Sequence, residues 1–141
     1  MSSAAEARFR LASPASCARV VAVVALDPAC DDVLARLAEK SWGGVRFFPA
    51  SAAAERAVLD EVAAGDLVVM VASAGADASA AGLIGRACSD RRVHTATFVI
   101  RAASVSDEVL SNTLSQVRPW SLMVVIASED DYVEDILRSF R

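Results

Sequence analysis

A chain of 141 residues fits a single domain with room for a real core. Its net charge of -4, with acids and bases interspersed, leaves no basic patch to gather phosphate backbones, so no nucleic-acid partner is expected. Hydrophobic residues make up 55% of it, yet no apolar run approaches the ~20 residues that span a bilayer, so no membrane partner is expected either.

Residues 1–18, rich in Ala and Ser, read as a flexible N-terminal tail without the apolar core of a secretory signal. Residues 19–141 read as one Rossmann-like α/β domain. Arg19 to Leu26 is a continuous apolar run with many β-branched residues, which predicts a central strand. It ends at Asp27-Pro28, where Asp27 can cap the following helix and Pro28 suits its first turn. Val33, Leu34, Leu37 and Ala38 recur at helical spacing until Gly43-Gly44. Val45 to Pro49 predicts a shorter strand nearer an edge. A helix from Ala52 to Ala64 follows Ser51, with Ala54, Val58, Leu59 and Val62 inward and Gly65 as its left-handed terminator.

Leu67 to Val71 is the next strand and Thr97 to Ile100 the one after, both apolar without alternation. Between them lie a small-residue turn from Ser73 to Gly82 and a helix. Ser106, with Asp107 and Glu108 behind it, predicts a helix start, and Val109, Leu110, Leu114 and Val117 form its apolar stripe. Pro119 ends that helix. Leu122 to Ala127 is a fifth strand, and Ser128 to Asp131 caps a last helix with Tyr132, Val133, Ile136, Leu137 and Phe140 inward. Strand and helix alternating in this way predict a three-layer Rossmann-like fold, a mostly parallel five-stranded sheet with helices on both faces. The expected strand order is 3-2-1-4-5.

The turn after the third strand stands where doubly wound folds bind ligands, so Ser73, Gly75, Asp77, Ser79 and Gly82, with Asp27 from the first strand, are the candidate ligand-binding residues. The alternative is a close strand-to-helix turn that binds nothing. Asp27, Asp31, Asp32 and Asp77 could converge on a cation, but caps and first-turn acids account for the first three, and no metal is expected. Cys17, Cys30 and Cys88 are odd in number and widely spaced, which argues against a disulfide framework and fits a reducing cytosol. With one His, His94, and no GxSxG elbow, neither a Cys-His pair nor a serine nucleophile is indicated, and no catalytic residue is assigned. Trp42 and Trp120 each fall at the end of a helix before a strand, where a ring commonly seals an edge of the sheet. A partner surface is the alternative.

In order and phrasing, the elements from Arg19 onward resemble the nucleotide-binding half of the tubulin and FtsZ family. Gly44 to Phe48 is similar to its second strand, and Ala64 to Ala72 to the segment leading into its glycine-rich signature. His94 to Arg101 and Leu122 to Ile126 are similar to the two strands that follow. The resemblance implies a GTPase-type fold in which that signature has degenerated. Gly75 and Gly82 remain, Ala78, Ser79 and Ala80 stand where glycines and threonines would, and Asp77 adds a charge that opposes phosphate. Asp27-Pro28-Ala29-Cys30-Asp31-Asp32 replaces the family's first glycine-rich loop. GTP binding is therefore expected to be lost, and no cofactor is expected beyond a possible nucleotide or small anion. The function that follows is association, as a homodimer or an accessory subunit. The rival is a small-molecule binder or enzyme using the Ser73 to Gly82 turn with Asp27 and Asp77. A regulator docking on an FtsZ-like filament is a third reading by analogy.

Overall fold

A computed structural model describes residues 20–128 and 130–139, apart from the side chains at 52–55 and 130–132. The expected tail, Cys17, the capping signature at Glu129 to Asp131, and the inward roles of Ala54, Tyr132 and Phe140 lie outside the described residues. Five parallel strands, β1 (Val21–Ala25), β2 (Val45–Phe48), β3 (Leu67–Ser73), β4 (His94–Ile100) and β5 (Met123–Ala127), form one sheet. Five helices alternate with them: α1 (Ala29–Ala38), α2 (Ala52–Glu61), α3 (Ala80–Asp90), α4 (Asp107–Val117) and α5 (Asp130–Ser139). A 3-10 turn, Arg118–Trp120, links α4 to β5.

The period of two along each strand divides the core. Ala22 and Val24 of β1 pack with Val58 of α2, Ile84 of α3 and Leu114 of α4, whereas Val21, Val23 and Ala25 pack with Leu34 and Leu37 of α1 and Val133 and Leu137 of α5. The three-layer α/β fold is as expected. Right-handed crossovers account for the division of helices, since the step from β1 to β2 runs opposite to every later step along the sheet. Among the described residues no helix is long and apolar enough to cross a membrane.

The strand order is β2-β1-β3-β4-β5, not 3-2-1-4-5. Burial explains the correction. β3 is the longest unbroken apolar strand, and its residues from Leu67 to Ala72 are all buried, which requires neighbours on both sides. The four-residue β2, with Arg46 exposed, takes the edge instead. The reversal of direction, and hence the crevice of the sheet, lies between the carboxyl ends of β1 and β3.

Local signals were met in part. Gly65 is left-handed at φ +93, but α2 stops at Glu61 instead of Ala64, so Gly65 belongs to the turn before β3 and does not terminate the helix; the Ser106 hydroxyl accepts the Val109 N–H at 3.2 Å. Val109 is 38% exposed rather than part of the buried stripe, where Thr113 takes its place beside Leu110, Leu114 and Val117. Asp27 does not cap α1, which starts with no side-chain cap. Its carboxylate turns across the crevice to β3.

Candidate functional site

Past their backbone ladder, the ends of β1 and β3 are joined by one side chain. Leu26 N–H donates to Val71 O at 2.8 Å, which leaves Asp27 at the mouth of the crevice and only 4% exposed. Asp27 Oδ2 accepts the Ser73 N–H at 2.8 Å and faces the Cys30 thiol at 3.6 Å. Cys30 Sγ lies 3.2 Å from Ser73 Oγ. Burial pushes the Cys30 thiol up to about 12; the Ser73 hydrogen bond opposes that shift, and the nearby Asp27 charge adds to it. A protonated, fully buried thiol can donate a hydrogen bond but is no nucleophile. Asp27 Oδ1 is a buried acceptor with no partner among the described residues.

In the turn after β3, most of the backbone N–H groups donate within the protein. Ala74 donates to Ile100 O at 2.9 Å, Gly75 to Thr113 Oγ1 at 2.9 Å, Ala76 to Ser73 O at 3.0 Å, and Ala78 to Gln116 Oε1 at 2.8 Å. Asp77 Oδ1 accepts the Ser79 N–H at 2.9 Å. Thr113 and Gln116, one helical turn apart on α4, thus supply the acceptors for two of the turn's N–H groups. Gly75 is held at φ +94, and a Cβ there would stand 3.0 Å from Val109 Cγ1, so only glycine suits this corner.

The six candidate residues therefore do not gather around one point. Asp27 and Ser73 meet across the crevice. Gly75 faces α4, while Asp77 and Ser79 close a local turn. Gly82 lies inside α3 against Trp120, whose Nε1 would be 3.4 Å from an added Cβ. Asp31 is directed elsewhere as well, accepting the Ala50 N–H at 2.8 Å. Among the described residues no three of His, Cys, Asp and Glu come together as metal ligands.

Sequence reasoning missed Gly85, Thr113 and Gln116. The spacing of Gly82 and Gly85 was a usable signal, since residues three apart share a helix face. That face seats Trp120, and a Cβ on Gly85 would lie 2.3 Å from the Trp120 Cβ. Arg86 adds its guanidinium 5.4 Å from the ring centroid. Trp42 is placed by a Leu37 carbonyl at 2.6 Å and by Arg138 4.3 Å above its ring, where Lys40, in the turn after α1, pairs with Glu134 of α5, which also pairs with Arg138.

At the opposite, amino-terminal edge, a groove of about 570 Å³ lies beside Trp120, between the end of α3, the start of β4 and the Pro119 to Leu122 segment that leads into β5. Val93, Pro119 and Leu122 give it apolar walls, and Arg92 and His94 give it basic ones, with no carboxylate lining it. Arg92 holds a left-handed φ of 59, a conformation that costs a non-glycine residue about 1–2 kcal/mol. The groove is remote from the crevice where doubly wound folds place their ligands. No family model matches the chain, and no curated protein matches it.

Proposed function

We propose that this is a non-catalytic, nucleotide-binding-like domain of the cytosol that works by associating with protein, as a homodimer or accessory subunit, and that GTP binding has been lost. One observation carries the reading. The turn that would cradle phosphates already donates its N–H groups to Asp27, Thr113, Gln116 and Asp77. A nucleotide would have to displace these oxygens and sit beside the Asp77 carboxylate. The resemblance to the tubulin and FtsZ family, whether by common ancestry or by convergent reuse of the fold, supports the reading.

Thermal denaturation with GTP, GDP and ATP tests it. A ligand present at 100 times its dissociation constant adds ~2.7 kcal/mol of stability. We expect no change in melting temperature with any of the three, and a GTP-dependent rise would overturn the reading. A second reading has its own observation, the unpartnered Asp27 Oδ1 at the crevice. A small ligand with a cationic or neutral N–H donor would satisfy that oxygen. Stabilisation by such a compound that disappears in Asp27→Asn would favour this alternative.

A further inference from the structure

Among the described residues β5 pairs with β4 alone, so its outer edge presents backbone groups that no described strand pairs. Three of the five large hydrophobic side chains exposed among the described residues belong to this stretch: Leu122 at 75%, Met123 at 41% and Ile126 at 47%. The opposite edge, β2, is guarded by Arg46, whereas Ser121 to Ser128 contains neither a charge nor a proline. An apolar edge without such guards is what sheets avoid unless something covers it.

We propose that a second copy of this chain covers it, β5 lying antiparallel to β5 across a two-fold axis so that the two sheets become one. The proposal rests on the association reading above and names its partner and surface. Charge selects the occupant and its direction. Arg118 precedes the strand, and Arg92 and His94 rim the groove at its amino end, while Glu129, Asp130 and Asp131 follow it in sequence. Antiparallel pairing about a two-fold axis sets the end of each strand that acids follow in sequence against the end of the other that Arg118 precedes; parallel pairing sets like against like. The neutral strand between can face itself without repulsion. The chain's own residues 1–19 suit the edge less well, since they bring Arg8, Arg10 and Arg19 against a single Glu6. A five-residue strand pair falls short of the ~1,600 Å² of a standard interface. The groove beside Trp120, which shares Leu122 with the edge, supplies further apolar contact.

Light scattering on the full chain at tens of micromolar is the test, with twice the 14.8 kDa chain mass expected. Ile126→Lys is expected to give the monomer mass with an unchanged circular dichroism spectrum, and Met123→Lys reads the same surface should the first variant fail to fold. Leu83→Lys, at a more exposed site on α3, is expected to leave the dimer intact. A monomeric parent chain, or a dimer that survives both β5 substitutions, overturns the proposal. So does a monomer that dimerises once residues 1–18 are removed, because the tail is then the occupant. These outcomes are separate from the association reading: a monomer that binds another protein leaves that reading standing, and stabilisation by GTP sinks it whatever the mass.

Discussion

Two glycines on one face of α3 show how a single added methyl group is judged by its neighbours. At Gly85 a Cβ would meet the Trp120 Cβ at 2.3 Å, with the Trp120 backbone 3.2 Å away, so the turn before β5 would have to move. Gly85→Ala is therefore expected to destabilise by about 1–3 kcal/mol. At Gly82 the same atom makes ordinary contact with the indole at 3.4 Å, and removing a helical glycine is expected to stabilise by about 0.5 kcal/mol. Urea denaturation of the two variants checks the opposite signs. Cys30 gives a pH prediction. Its folded pKa of about 12 lies above the ordinary 9.0 that the unfolded thiol has, so its contribution is full below pH 9 and is lost as pH rises toward 12. Cys88, pushed up to about 11 chiefly by burial, acts in the same direction. The fall in melting temperature between pH 8 and pH 11 should be smaller in Cys30→Ala than in the parent chain. Neither thiol should react with iodoacetamide before unfolding, as peptide mass spectrometry would report.

At the scale of elements, α4 does more than cover β4. Its Thr113 and Gln116 side chains fasten the turn between β3 and α3, so the turn's shape depends on a helix more than thirty residues away in the chain. The two fastenings differ in their exposure to water. Ala78 is 1% exposed, so Gln116→Leu leaves a buried N–H without an acceptor, at an expected cost of about 1–3 kcal/mol. Gly75 is exposed, and water can replace the lost hydroxyl in Thr113→Val, so that variant is expected to lose less. The order of the two urea midpoints tests the account, and a larger loss for Thr113→Val would contradict it. The candidate site was legible in the sequence only as a place. Glycines and small residues after an apolar run marked the turn, but nothing near Ser73 in sequence announced that Thr113 and Gln116 would occupy its donors.

The whole molecule is a doubly wound sheet whose two edges are unequal. If β5 pairs with a second copy, dissociation accompanies unfolding, and the melting temperature should rise with protein concentration in the parent chain but not in Ile126→Lys. A concentration-independent transition in both would mean that the edge stays open.

The alternation of strands and helices, the left-handed Gly65 and the Ser106 cap were all readable from the residues alone, because each depends on neighbours within a turn or two. The crossing of Asp27 to Ser73, the seat of Trp120 on Gly82 and Gly85, and the placing of β3 beside β1 were decided by tertiary structure. Those features depend on which surfaces meet after the chain has folded back on itself. An apolar run specifies that a strand be covered, while the packing of the whole sheet specifies what covers it.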